Sequence, residues 1–134
     1  LGMQDNVSLI EELKPEEVTQ CYYSTDIFFS PSIIEGLSLV SIEAIACGLP
    51  LVVTDVAGNE DIVRDTGAGV IVKTKDPQSM AEGLRELIDN SELRNRYSKI
   101  ALQQVVQYDW SEVAKRYANV YQNVIHNKPV SYNS

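Results

Sequence analysis

The sequence predicts an α/β fold, a parallel sheet of about four short strands flanked by helices. Three observations carry this expectation. Short apolar runs, such as Ile27-Phe28-Phe29, Leu51-Val52-Val53 and Val70-Ile71-Val72, alternate with longer segments of helical period. Parallel neighbours require crossover connections of that length. The runs are apolar without polar alternation, as in strands covered on both faces. Glycine and proline mark the boundaries, at Pro31, at Gly48-Leu49-Pro50 and from Gly67 to Gly69.

Taken in order, Val7 to Ile10 is a short β-prone run after Asp5-Asn6 and is read as the first strand. Pro15-Glu16-Glu17 puts proline and acid in the first turn of a helix that runs to about Ser24. Asp26 to Ser30 forms a strand ended by Pro31, and a loop runs from Pro31 to Leu37. Ser38 to Cys47 follows as a helix apolar almost all round, closed by Gly48 and Pro50, and is expected to be buried. Leu51 to Thr54 and Ala68 to Val72 are strands, with a turn and short helix from Gly58 to Val63 between them. Asp76-Pro77 opens a helix with Met80, Leu84, Leu87 and Ile88 at helical spacing. Two further helices, about Glu92 to Val106 and Ser111 to Ile125, complete one domain over 1–127, with a frayed tail expected over 128–134.

Composition narrows the function classes. With 134 residues, 44% hydrophobic and 22% charged, the chain is of ordinary single-domain size and character. Eleven basic against nineteen acidic residues leave a net charge of −8, which opposes general attraction to nucleic acid or anionic lipid. No apolar run approaches a membrane span and no signal-peptide pattern opens the chain, so it reads as cytosolic. Cys21 and Cys47 stand singly on apolar segments and are read as buried free thiols. A single histidine, His126, makes a metal site improbable, and no metal ligands are assigned.

The segment from Pro31 to Ala44 is where the chemistry concentrates. In an open parallel sheet, ligands bind outside the carboxyl ends of the strands, and this loop leads from such an end into a helix N-terminus. Free N–H groups and the helix dipole favour an anion there, typically by about 0.3–1 kcal/mol per charge. Gly36 allows a phosphate to approach the backbone. Glu43 interrupts an otherwise apolar helix, and an unpaired buried carboxylate costs several kcal/mol. A ribose diol would satisfy it with two hydrogen bonds, and a basic partner or a neighbouring turn would do so too. Glu35, just before the helix, is either a ligand contact or simple compensation of the dipole.

Glu35 and Glu43, eight positions apart across a glycine loop, resemble the Glu-x7-Glu motif of retaining glycosyltransferases of the GT-B fold, in the large family 4 group. The surrounding residues agree. Asn6-Val7, Thr25-Asp26-Ile27-Phe28, Pro31-Ser32, Glu35-Gly36, Glu43-Ala44, Ala46-Cys47-Gly48-Leu49-Pro50, Thr54-Asp55, Ala57-Gly58 and Asp61-Ile62-Val63 follow the family's order. Gly67, Gly69, Asp76-Pro77 and Trp110 also fall where such proteins have them, so the resemblance covers nearly the whole chain. Two positions depart from the pattern. Gly36-Leu37-Ser38 replaces the usual Gly-Phe-Gly, with Ser38 expected to cap the helix, and Ala57-Gly58 replaces a Gly-Gly turn, narrowing the sugar pocket.

The resemblance implies a Rossmann-like C-terminal donor-binding domain whose substrate is a nucleoside diphosphate-sugar, with no other cofactor and no metal. It implies that Glu35 contacts the donor sugar and acts at the reacting carbon. Backbone N–H groups of Gly36, Leu37, Ser38 and Leu39 would hold the diphosphate, Glu43 the ribose, and Ile10 and Glu11 the base. The arginine and lysine that relatives aim at the diphosphate, and the N-terminal acceptor domain, have no counterpart in these residues. The chain is therefore expected to bind donor weakly and to be inactive alone. The parent is expected in the cytoplasm, or peripheral to the inner membrane face. In the family's sheet the strand matching Val7 to Ile10 is separated from Asp26 to Ser30 by two strands that have no counterpart here. The edge beside Ile27 to Phe29 is thus expected to be filled by Val7 to Ile10 or by a second copy of the chain. A nucleotide-sugar epimerase of the same fold, and a non-catalytic nucleotide- or partner-binding scaffold, are the alternative readings.

Overall fold

The computed structural model describes residues 2–126. After a short 3-10 turn over Gln4–Asn6, helix α1 (Pro15–Tyr23) leads to strand β1 (Phe28–Ser30). Helix α2 (Leu39–Ala46), strand β2 (Leu51–Thr54), helix α3 (Ala57–Thr66) and strand β3 (Gly69–Val72) follow. Helices α4 (Pro77–Asp89) and α5 (Ser91–Gln104), a 3-10 turn over Val105–Tyr108 and helix α6 (Trp110–Ile125) complete the described residues. The expected frayed tail lies outside them. No described helix is long and apolar enough to cross a membrane.

The strands form one parallel sheet in the order β1-β2-β3, with Phe29 opposite Val52 and Val53 opposite Ile71. Because strand side chains alternate, Leu51 and Val53 enter one core with Ala44 and Ile45 of α2 and Ile62 and Val63 of α3. Val52 and Val72 enter the other, with Leu87 of α4. Two crossovers of the same hand therefore place α2 and α3 on one face, and α4 closes the opposite one. Gly83 makes that closure possible, since a Cβ there would overlap Cγ1 of Val72. All four β2 residues are buried, as expected for a central parallel strand.

Three expectations are corrected. The sheet has three strands rather than about four: Val7 to Ile10 pairs with nothing among the described residues, and Leu9 is 92% exposed. Extended backbone becomes a strand only when a neighbour takes its N–H and C=O groups, and β1, three residues long, takes none from this segment. Helix α2 is not buried all round, since Leu39 is 64% exposed and Val40 is also open. Ile88 of α4 likewise faces outward. Cys21 and Cys47 are free thiols, but half-buried rather than fully buried.

Candidate functional site

Pro31 ends β1, and the chain from Pro31 to Ser38 crosses the carboxyl ends of the strands before α2 begins. Three contacts hold it there. Thr54, the last residue of β2, donates from Oγ1 to the Ser32 carbonyl at 2.6 Å. The backbone N–H of Gly58, in the first turn of α3, donates to the Glu35 carbonyl at 3.3 Å. Gly58 is buried, and a Cβ on it would overlap the Gly36 carbonyl and stand 2.9 Å from the Leu37 nitrogen. Only glycine admits this approach of α3 to the loop.

Several of the loop's backbone groups are unpaired. Among the described residues, the N–H groups of Gly36, Leu37, Ser38 and Val40 have no acceptor, whereas the Leu39 N–H donates to the Leu37 carbonyl at 3.1 Å. Ser38 sits at the N-cap position of α2, but its side chain does not cap. Its Oγ lies 2.8 Å from Oγ of Ser41, and the carbonyl of Ser38 receives the Ser41 and Ile42 N–H groups. The expected side-chain cap is thus replaced by a serine pair, which leaves the helix N-terminus open. Glu35 is half-buried and accepts from Oγ of Ser32 at 3.4 Å.

Glu43 is exposed rather than buried, so the desolvation cost expected from the sequence does not arise. With Val40 and Ala46, also on the uncovered side of α2, it lines a groove of about 580 Å³ between α1 and α2. Among the described residues no basic side chain forms a salt bridge with it. The Tyr22 hydroxyl donates to Glu43 Oε2 at 3.0 Å, and burial, reinforced by this hydrogen bond, pushes the phenol up to about 12. Tyr22 also packs against Phe28, with ring centroids 6.1 Å apart. Ile10 and Glu11 are exposed and make no side-chain hydrogen bond to the loop or to Glu43 among the described residues.

At the same end of the sheet, Asp55 accepts from the Thr74 N–H at 2.6 Å, and this bonding holds its carboxyl below the usual range. It anchors the β3–α4 connection. Sequence reasoning passed over Tyr22 and Asn59. The available signals were a tyrosine on the inner side of α1 and an asparagine on the buried face of α3, both polar groups in need of a partner.

A family model described as glycosyl transferases group 1 matches residues 1–104. The chain is 31% identical over 124 residues to a D-inositol 3-phosphate glycosyltransferase of Corynebacterium urealyticum, covering 92% of this chain and 29% of that protein. It is 33% identical over 111 residues to an N,N'-diacetylbacillosaminyl-diphospho-undecaprenol alpha-1,3-N-acetylgalactosaminyltransferase of Campylobacter jejuni, covering 83% and 30%. A sucrose-phosphate synthase from Thermosynechococcus elongatus matches with a TM-score of 0.80 at 22% identity, over 94% of this chain and 32% of that one. WaaG, a glycosyltransferase involved in lipopolysaccharide biosynthesis, gives 0.75 at 23% identity, over 89% and 32%. These two structures share the fold. The chain spans less than a third of the length of either curated relative.

Proposed function

The chain belongs to the group 1 glycosyltransferases, and from that premise we propose that it supplies the donor-binding part of a longer enzyme. That enzyme moves a sugar from a nucleoside diphosphate-sugar to an acceptor hydroxyl, with retention at the anomeric carbon. The observation that carries this reading is the loop at the sheet end, with N–H groups unspent and Glu35 and Glu43 on either side of it.

In this reading Glu35 accepts hydrogen bonds from donor-sugar hydroxyls beside the reacting carbon. The N–H groups of Gly36, Leu37, Ser38 and Val40 hold the diphosphate oxygens as the bond to the anomeric carbon breaks and charge gathers on the leaving phosphate. Leu39 joins them only by releasing the Leu37 carbonyl. Glu43 takes the ribose diol in the groove, one carboxylate oxygen held by Tyr22 and the other free for ligand. Ile10 and Glu11 close over the base. The acceptor's proton passes to the leaving phosphate, and no metal ion takes part.

The 134 residues by themselves bind the donor weakly and transfer nothing. No lysine or arginine occurs between Lys14 and Arg64, so the loop and α2 bring no cation of their own to a multiply charged anion, and the net charge of −8 works against it. Transfer also requires an acceptor held against the donor, which lies outside this chain in our reading. The test is a transfer assay on the full-length protein with radiolabelled UDP- and GDP-sugars, the product anomer read by NMR. Product of the donor's anomeric configuration agrees, and inverted product contradicts the mechanism.

A further inference from the structure

One wholly buried side chain ties together both ends of the Pro31–Ser38 loop. Asn59, in the first turn of α3, has no exposed surface. Ser41 Oγ donates to its Oδ1 at 3.2 Å, and its Nδ2 donates to Ser30 Oγ at 3.3 Å. From Ser41 the chain of contacts continues to Ser38, at 2.8 Å. From Ser30 it continues 3.2 Å to Ser32, whose hydroxyl reaches Glu35 Oε2 at 3.4 Å.

Counting protons gives this chain a direction. Each hydroxyl has one proton to donate. Ser41 spends its proton on Asn59, so the Ser38–Ser41 contact uses the proton of Ser38. Ser32 spends its proton on Glu35, so Ser30 donates to Ser32 while its oxygen accepts from Asn59. Every donor therefore points from Ser38 toward the Glu35 carboxylate. Turning the amide of Asn59 over would take the Ser30 proton, oblige Ser32 to donate to Ser30, and strip Glu35 of its donor. An ionised carboxylate only accepts, so the orientation that ends on Glu35 is the one that satisfies every member. Asp at this position has two acceptors and cannot donate to Ser30.

We propose that Asn59 is a positioning residue for Glu35, acting through the Ser30 and Ser32 hydroxyls to present that carboxylate in one rotamer. Its neighbour Gly58 holds the Glu35 carbonyl, so one turn of α3 sets both the backbone and the side chain of Glu35. The consequence for sugar recognition rests on the proposed donor-binding reading; the geometry of Glu35 does not.

The experiment is NMR on the full 134-residue chain carrying 13C-labelled glutamate, as wild type, Asn59→Asp and Ser30→Ala. Wild type should show a single Glu35 side-chain rotamer. Both variants should lose it to averaging, with the amide spectrum otherwise dispersed and melting still cooperative. Ser30→Ala removes one hydroxyl and introduces no charge, so it decides the matter if Asn59→Asp does not fold. A fixed Glu35 rotamer in folded Ser30→Ala would overturn the proposal. UDP-glucose and GDP-mannose are then added to the wild type. If neither, at up to about 10 mM and so well above the weak affinity expected of these residues, moves the Glu35 carboxyl signal while the variants still lose the rotamer, the positioning role stands and the donor reading fails.

Discussion

The Tyr22 hydroxyl donates to Glu43 Oε2 at 3.0 Å across the groove between α1 and α2. The carboxylate that the sequence marks as unusual is thus exposed yet held, fixed by a phenol anchored on Phe28. Glu43→Gln should weaken donor binding by the full-length protein by about 1–3 kcal/mol, the scale of hydrogen bonds to charged acceptors. Calorimetric titration with the nucleoside diphosphate checks this. Unchanged affinity in a folded variant removes Glu43 from the site.

The same pair gives a pH prediction. Burial first, and then the Glu43 hydrogen bond, raise the Tyr22 phenol to about 12 from an ordinary value near 10. A raised folded-state value means that the neutral phenol's contribution to stability is complete below about pH 10 and is lost as pH climbs toward 12. Glu43→Gln should move the phenol back toward its ordinary range in an alkaline absorbance titration. Since burial is the larger cause, the return should be partial.

For Glu35→Gln the expected outcome is a larger fall in turnover than in donor affinity, because in the proposed site its contact lies nearest the reacting carbon. Steady-state kinetics beside donor titration separate the two. Equal loss in both would place Glu35 on the nucleotide instead.

Gly58→Ala should cost about 1–3 kcal/mol of stability, the range for overpacking a filled site, because the added methyl meets loop backbone rather than a movable side chain. Denaturant unfolding of the chain measures it. A variant of wild-type stability would show that the loop can retreat from α3 freely.

Much of this architecture is legible in the sequence, and the exceptions share a cause. Helices α1, α2 and α4, strand β2 and the Pro31–Ser38 loop follow from proline, glycine and apolar punctuation, which are local signals. Whether Val7 to Ile10 pairs, and which side of α2 is covered, depend on what lies across from them, which no local signal states. Glu35 and Glu43 stand out by spacing. Tyr22 and Asn59 do not, because their roles consist of contacts 21 and 29 residues away along the chain. Ser38 is a cap by residue type and position, yet Ser41 supplies a competing partner one turn on.

Amide NMR of the chain titrated with UDP asks whether the N–H groups leading into α2 form a diphosphate site. A site there gives saturable shifts largest at Gly36, Leu37, Ser38 and Val40, with smaller ones in the α1–α2 groove and a dissociation constant of roughly 1 mM, about 4 kcal/mol of binding. Shifts centred elsewhere, or none up to about ten times that concentration, would contradict it.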